Sequence, residues 1–144
     1  MPTYTCTART GLLDAESKRA IAQAVTAAHA GITGAPTHFA QVIFEDVAVG
    51  NHFVGGAPLA HDHVFVYGRI RGGRSAAMRE ALIRRLTADV AAAAGLEPFG
   101  VWVYLLELPA AAMVEFGHVL PEPGEEGAWT EALPAGDRER MQRL

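Results

Sequence analysis

The spacing of hydrophobic residues along the chain predicts strands and helices in a regular order. Residues 3–8 form a strand-like run, and Asp14 is a suitable N-cap for a helix that continues to about Ile32. Apolar residues recur along one face of this helix, namely Ile21, Val25, Ala28 and Ile32. Gly34 follows as a helix-ending residue, and residues 39–44 are predicted to form a second strand. The first third of the chain is therefore a strand–helix–strand unit.

The same pattern appears again in the second half of the chain. Residues 64–70 are predicted to form a strand, Ser75 to cap a helix, Gly95 to end it, and residues 101–106 to form a fourth strand. The residues of this helix predicted to face inward are Met78, Leu82, Ile83, Leu86 and Val90. Equivalent positions are offset by 61 residues, as in Asp14 and Ser75, Val25 and Leu86, Gly34 and Gly95, and Val42 and Val103. This offset indicates an internal duplication.

Two such units predict an α+β fold. Each βαβ unit needs a parallel strand pair joined by a right-handed crossover helix. Together they give a four-stranded mixed sheet with both helices on one face. We expect a single domain over residues 1–144, made of a first unit (1–47), a second unit (62–107) and a C-terminal arm (108–144). Apolar residues at alternate positions, such as Val64 and Val66 against Phe65 and Tyr67, suggest that both sheet faces are covered, which favours a homo-oligomer.

The C-terminal arm differs from the rest of the chain in composition. It contains Pro109, Pro121, Pro123 and Pro134 and the acidic run 122–126. Short helical turns are predicted near residues 110–117 and 134–144. The arm is either a solvated wrapping segment or one that carries a site residue.

Charge and cysteine content exclude several classes of protein. The net charge of −4 and the pI near 5.8 do not suggest binding to nucleic acid or to a membrane surface. Apolar runs are too short for a membrane span, and the first residues lack the pattern of a signal peptide. Cys6 is the only cysteine, so no internal disulfide can form, and a cytoplasmic location is the simplest expectation.

Pro2 is the first candidate for chemistry. Removal of the initiator methionine would leave Pro2 with a free secondary amine, which can act as a base, an acid or a nucleophile. If Met1 stays attached, the Pro2 nitrogen is an amide and can do none of these. Many proteins also begin with this dipeptide without any functional consequence.

Three basic residues are predicted to lie near Pro2. His29 is in the last turn of the first helix and four residues after Val25, so it can face the start of the first strand; the alternative is a packed core histidine. Arg71 and Arg74 bracket a tight glycine turn before the Ser75 cap. If the two units are related by a pseudo-twofold axis, this turn lies beside the start of the first strand. Two guanidinium groups there would suit a carboxylate or a phosphate, unless they are surface arginines.

The fourth strand and the arm supply two further candidates. Tyr104 lies on the strand, and Glu115 lies between Val114 and Phe116, where partial desolvation would suit a general base; an exposed turn glutamate is the alternative. His61 and His63 are two residues apart and could ligate a metal. No third ligand follows at a suitable spacing, so no metal or other cofactor is expected.

These motifs together resemble the tautomerase superfamily, specifically its cis-3-chloroacrylic acid dehalogenase group. The similarity covers nearly the whole chain and rests on the Pro-Thr-Tyr start and on segments 27–29, 73–75, 101–104, 113–117 and 122–126. It implies the β-α-β tautomerase fold, a homotrimer, and an active site that matches six residues here: Pro2, His29, Arg71, Arg74, Tyr104 and Glu115.

The resemblance also implies a reaction. His29, Arg71 and Arg74 would bind the carboxylate of a small α,β-unsaturated acid, either 3-haloacrylic or acetylenic. Glu115 and Tyr104 would activate water for attack at C3, and protonated Pro2 would deliver a proton to C2, giving malonate semialdehyde. The alternatives are a keto–enol tautomerase of the phenylenolpyruvate type, with neutral Pro2 as base, and a non-enzymatic signalling protein.

Overall fold

The computed structural model describes residues 2–141 and 143. Whether Met1 remains attached to Pro2 therefore lies outside the described residues. In chain order, the strands and helices are β1 (Thr3–Arg9), α1 (Ala15–Thr33), β2 (Gln41–Val47), β3 (Phe53–Val54), β4 (Ala57–Pro58), β5 (Val64–Arg71), α2 (Ala76–Ala94), β6 (Val101–Leu108), β7 (Val114–Glu115), β8 (His118–Val119), α3 (Glu126–Ala132) and α4 (Ala135–Met141).

The sheet has the topology that the duplicated pattern predicts. Its four strands lie in the order β2-β1-β5-β6. Strand β1 pairs with β2 in parallel and β5 pairs with β6 in parallel, whereas β1 and β5 are antiparallel at the centre of the sheet. The predicted four-stranded mixed sheet is confirmed. The central antiparallel pair places the end of β5 beside the start of β1.

Both long helices begin and end where their capping residues predict. The Asp14 carboxylate accepts a hydrogen bond from the Ser17 N–H at 2.7 Å, and the Ser75 hydroxyl accepts one from the Met78 N–H at 3.2 Å. Gly34 and Gly95 follow the helices in the left-handed conformation, with φ of 74° and 67°. This conformation is strained for residues with a side chain, so the two glycines end the helices.

The core lies between the sheet and the two helices. It contains Tyr4, Cys6 and Ala8 from β1, Val64, Val66 and Ile70 from β5, and Ile21, Val25, Leu82, Leu86 and Val90 from the helices. Met78 and Ile83, which we expected to face inward, are only half-buried because they lie at the margins of the helix face. The open sheet face, which is the side away from α1 and α2, carries Ile43, Phe65, Trp102, Tyr104 and Leu106.

The connecting segments differ most from the sequence predictions. Strand β2 begins at Gln41 rather than at residue 39, because Thr37–Phe39 form a 3-10 turn after Pro36. The helical turn predicted over residues 110–117 is wrong in its second half. A 3-10 turn occupies Ala110–Ala112, and β7 and β8 then form a hairpin. The helical turn predicted at residues 134–144 is present as α4, although part of its predicted end lies outside the described residues. Helix α3 was not predicted.

No helix in the described part of the chain is both long enough and apolar enough to cross a membrane.

Candidate active site

A cavity of about 440 Å³ lies at one edge of the sheet, under the C-terminal arm. Four of the six predicted site residues line it: Pro2, His29, Arg71 and Arg74. The other lining residues include Phe39, Leu120, Glu126 and Trp129. The cavity thus combines an apolar wall with a small number of convergent polar groups, which is typical of a small-molecule site.

The topology of the sheet brings these residues together. Thr3 pairs with Arg69 across the antiparallel central strands, so the start of β1 lies next to the end of β5. The Gln41 N–H donates a hydrogen bond to the Pro2 carbonyl at 3.0 Å, which fixes buried Pro2 at the same edge. Helix α1 runs back along the sheet and places His29 at this level. The predicted neighbourhood of Pro2 and His29 is present in the structure.

His29 is a buried, neutral imidazole. It is 2% exposed, and its Nδ1 lies 2.7 Å from the hydroxyl oxygen of Tyr4. Its Nε2 has no hydrogen-bond partner among the described residues. Burial, and then the charge of Arg74, lower the pKa of His29 to about 4. At neutral pH this side chain therefore contributes hydrogen bonding to the cavity and no charge.

Arg71 and Arg74 supply the positive charge. Arg71 is 8% exposed; its Nη1 donates to the Pro121 carbonyl at 2.6 Å, and its Nη2 forms an ion pair with Glu126. Arg74 donates to the backbone carbonyl of Arg71. The Nε atoms of both arginines are buried without a partner among the described residues. Hydrogen-bond donors without a partner on a buried cation are costly unless a ligand accepts from them. The two arginines therefore favour the binding of an anion.

Glu126 is a site residue that the sequence analysis did not identify. It pairs with Arg71, and it also accepts a hydrogen bond from the Gly124 N–H at 2.8 Å. Burial is the largest single effect on the pKa of Glu126 and raises it, but the hydrogen bond from Arg71, the backbone hydrogen bonds and the charge of Arg71 together outweigh it and hold the pKa of this carboxyl below its usual range. The sequence pattern that could have indicated Glu126 is helical spacing. Glu126, Trp129 and Leu133 lie at positions i, i+3 and i+7, so they fall on one face of α3, with Leu133 directly after the helix.

Tyr104 and Glu115 do not line the cavity of the single chain. Tyr104 is 55% exposed on the open sheet face, where its ring lies against Phe65 with the centroids 5.1 Å apart. Glu115 is half-buried in β7, in the hairpin that precedes Leu120 of the cavity wall. The structure therefore brings four of the six predicted residues together and leaves two outside.

The histidines considered as metal ligands lie at the opposite end of β5. His63 is 4% exposed and packs edge-on against His52 and Trp102, with ring centroids 5.2 Å and 5.1 Å away. The ring of His61 is 6.3 Å from that of His63. Within residues 2–141 and 143, no group of three or more His, Cys, Asp or Glu is arranged to hold a metal ion.

Comparisons with known proteins agree with the fold. The sequence model of a family described as putative oxalocrotonate tautomerase enzyme matches residues 1–132. Among solved structures, N1, a member of the cis-3-chloroacrylic acid dehalogenase family, is 38% identical over 99% of both chains, with a TM-score of 0.94. A comparison with curated proteins found no match.

More distant structures share the fold alone. FG41 malonate semialdehyde decarboxylase, inhibited by 3-bromopropiolate, is 17% identical over 92% of this chain and 99% of its own, with a TM-score of 0.72. A fused 4-OT described as an asymmetric trimer is 21% identical over 81% of this chain and 94% of its own, with a TM-score of 0.75. From the family match and the similarity to N1, the chain belongs to the tautomerase superfamily, in its cis-3-chloroacrylic acid dehalogenase group, and is an enzyme of that superfamily.

Proposed function

We propose that this enzyme adds water to small α,β-unsaturated carboxylates, with the amine of Pro2 as the proton donor. The observation that carries the proposal is the convergence of buried Pro2 with His29, Arg71 and Arg74 around one cavity. An amine that lines the same cavity as a carboxylate-binding cluster suits proton transfer to a carbon atom next to that carboxylate. The substrates are 3-haloacrylic or acetylenic acids.

The substrate carboxylate binds to the two arginines and to His29. Arg74 and Arg71 provide the charge, and the unpartnered Nε2 of His29 provides a further polar contact. Addition of water at C3 moves electron density toward C2 and the carboxylate, so these groups interact more strongly with the transition state than with the substrate. The same contacts therefore bind the substrate and accelerate its reaction.

The remaining step, activation of water, is assigned to Glu115 with Tyr104. Neither side chain lines the cavity of the single chain, and Tyr104 lies on the open sheet face. A role for Tyr104 requires a second copy of the chain to present it. We therefore propose a homotrimer in which the apolar open sheet face is buried, as the trimeric fused 4-OT of the same fold supports.

The proposed reaction balances without a cofactor. Water gives its hydroxyl group to C3 and a proton to Glu115, while Pro2 gives its proton to C2. With a 3-haloacrylate, the resulting halohydrin loses hydrogen halide to give malonate semialdehyde. With an acetylenic acid, addition of water gives the enol of the same product. Glu115 then returns a proton to Pro2 through solvent.

An NMR assay of the purified protein tests this function. Mass spectrometry first establishes that Met1 is absent, because an acylated Pro2 nitrogen cannot carry the proton. The protein is then incubated with propiolate and with cis- and trans-3-chloroacrylate, and malonate semialdehyde or its decarboxylation product is followed. We expect turnover in the unmodified protein and none in Pro2→Ala. Equal turnover in that variant would exclude the mechanism.

Keto–enol tautomerisation is the second candidate, and the description of the matching family as a putative oxalocrotonate tautomerase supports it. The two reactions need opposite protonation states of Pro2. A ¹⁵N titration of the Pro2 amine distinguishes them, since an amine that is protonated at neutral pH favours addition of water and a neutral amine favours tautomerisation. Turnover of phenylenolpyruvate without turnover of propiolate would favour the second candidate.

A further inference from the structure

The hydrogen bond between Tyr4 and His29 determines what the histidine offers to the cavity. Tyr4 is fully buried in β1, and its hydroxyl oxygen lies 2.7 Å from His29 Nδ1. Within the described chain, this is the one hydrogen bond that the hydroxyl makes. Geometry alone allows either group to donate the proton. If Nδ1 donates, His29 presents Nε2 to the cavity as a hydrogen-bond acceptor. If the Tyr4 hydroxyl donates, His29 presents Nε2 as an N–H donor.

Satisfaction of buried polar groups decides the direction. If His29 Nδ1 donated, the hydroxyl proton of Tyr4 would be buried without an acceptor, which is a costly arrangement. If Tyr4 donates, its proton and the lone pair on Nδ1 are both satisfied. Burial raises the pKa of Tyr4 above its ordinary value, with Arg74 opposing this more weakly, so the hydroxyl keeps its proton at neutral pH. Tyr4 is therefore the donor.

A neutral imidazole whose Nδ1 accepts a hydrogen bond carries its single proton on Nε2. That nitrogen is buried and has no protein partner in the described residues, and His29 lines the cavity. We propose that Tyr4 is a positioning residue that holds His29 in the Nε2–H tautomer, so that the cavity receives a neutral N–H donor for an anionic oxygen of the ligand. Its importance for turnover rests on the proposed function, whereas the tautomer itself does not.

The sheet is built to hold the Tyr4 ring in this position. Tyr4 pairs with Gly68 of β5 across the central strands. A Cβ atom at Gly68 would lie 2.6 Å from Cε1 and 2.9 Å from Cδ1 of the Tyr4 ring, distances that real Cβ contacts do not show. The absence of a side chain at Gly68 leaves room for the ring, and the surrounding core restricts its other movements. The hydroxyl is thereby directed at His29.

This arrangement has a chemical consequence for the ligand. An imidazolium at position 29 would be repelled by the neighbouring Arg74 guanidinium, whereas a neutral N–H donor adds a directed hydrogen bond without adding charge. His29 then orients the carboxylate, while Arg71 and Arg74 supply the electrostatic attraction. The Tyr4 hydroxyl has no other hydrogen-bond partner in the described chain, so no chain of hydrogen bonds leads from His29 into the core.

The test reads the tautomer directly by ¹⁵N NMR of the side-chain nitrogens of His29, in the full chain without a ligand. We expect a pyridine-type Nδ1 and a pyrrole-type Nε2 in the unmodified protein. Tyr4→Phe should lose this pattern and give a mixture of tautomers. Tyr67→Phe is the matched control, because it removes the same hydroxyl on the neighbouring strand but away from the cavity, and it should leave the pattern unchanged.

Ligand binding supplies a second readout. Propionate, a saturated probe that the enzyme cannot turn over, should shift the Nε2 signal of the unmodified protein. Its affinity should fall about three- to tenfold in Tyr4→Phe, as expected for one mispositioned hydrogen bond. The KM for propiolate should rise by a similar factor.

A protonated Nδ1 in the unmodified protein would overturn the proposal, even if Tyr4→Phe failed to fold. An unchanged tautomer and unchanged propionate affinity in a folded Tyr4→Phe would overturn it as well. Absence of turnover with every unsaturated acid would instead contradict the proposed function and leave the tautomer result standing.

Discussion

Close packing around single residues positions the side chains of the site. Gly68 is the clearest case, because a Cβ atom there would meet both the Tyr4 ring and, at 2.7 Å, Cδ2 of Leu105. The Tyr4 ring cannot move away easily because it is fully buried, whereas Leu105 is half-buried against the same core. Sequence alone shows a glycine in a strand and does not show what it accommodates.

Gly68→Ala should therefore destabilise the protein by about 1–3 kcal/mol, the usual cost of overpacking a core. Gly31→Ala is the matched control. Gly31 lies in α1 with no atom within 4 Å of an added Cβ, and alanine there should stabilise the helix by about 0.5–1 kcal/mol. Urea unfolding of the two variants measures both effects. A change of the same sign in the free energy of unfolding of both variants would contradict the packing argument.

The two buried histidines predict how stability depends on pH. Burial is the main cause that lowers the pKa values of His29 and His63 from 6.5 to about 4. Arg74 adds to the effect at His29, and His52 and His61 add to it at His63. The unfolded chain binds these two protons at higher pH than the folded protein does. The two neutral histidines therefore contribute fully to the free energy of unfolding above about pH 6.5, and this contribution is lost as the pH falls toward about 4.

Between pH 6.5 and about 4 the free energy of unfolding should fall by up to about 1.4 kcal/mol per pH unit for each histidine. Urea unfolding at a series of pH values measures the slope. His63→Leu should make the slope shallower, because one of the two groups is removed. A variant with the slope of the unmodified protein would show that His63 does not contribute.

At the scale of elements, the arm is held to the cavity by a few specific contacts. Glu126 at the start of α3 pairs with Arg71, and the Trp129 indole N–H donates to the Val119 carbonyl at 2.9 Å. His118 of β8 contacts Asp137 of α4 at 2.9 Å. These contacts connect α3 and α4 to the β7–β8 hairpin and to β5, and the arm thereby forms one wall of the cavity.

Glu126→Gln should loosen this wall because it removes the charge that pairs with Arg71. We expect hydrogen exchange of the α3 amides to become several-fold faster, while the amides of β1 and β5 remain protected. Glu125→Gln is the control, since Glu125 is an exposed neighbour in the same acidic run. Equal exchange in the two variants would mean that the ion pair does not hold the arm.

At the scale of the whole molecule, the open sheet face leaves several apolar side chains uncovered in the single chain. Trp102, Tyr104 and Leu106 of β6 are each more than two-fifths exposed there, and so is Ile43 of β2. Exposed apolar side chains grouped on one face usually mark an interface. The proposed trimer would bury it and would also bring Tyr104 to the cavity of another copy.

Leu106→Arg should therefore dissociate the oligomer and abolish turnover together, since each cavity would lose its partner residue. Ala88→Arg adds the same side chain on the exposed face of α2 and should change neither property. Sedimentation and the propiolate assay measure the two effects. A Leu106→Arg protein of unchanged mass and activity would contradict the role of the open sheet face.

The sequence by itself determined the two long helices, the strands of the four-stranded sheet and their order, because those depend on local signals. Asp14 and Ser75 cap the helices, Gly34 and Gly95 end them, and the 61-residue offset predicts the paired units. The approximate position of Pro2, His29, Arg71 and Arg74 followed from the topology of such units, in which the central antiparallel strands bring the end of β5 to the start of β1.

Only the tertiary structure decided which groups act on those residues. Tyr4 and His29 are 25 residues apart, and Arg71 and Glu126 are 55 apart, so no local pattern relates either pair. An acidic run has the same sequence whether it is solvated or paired with a buried arginine. Likewise, the face of the sheet on which Tyr104 lies depends on which side chains of β6 pack against the helices, and that is decided by long-range packing.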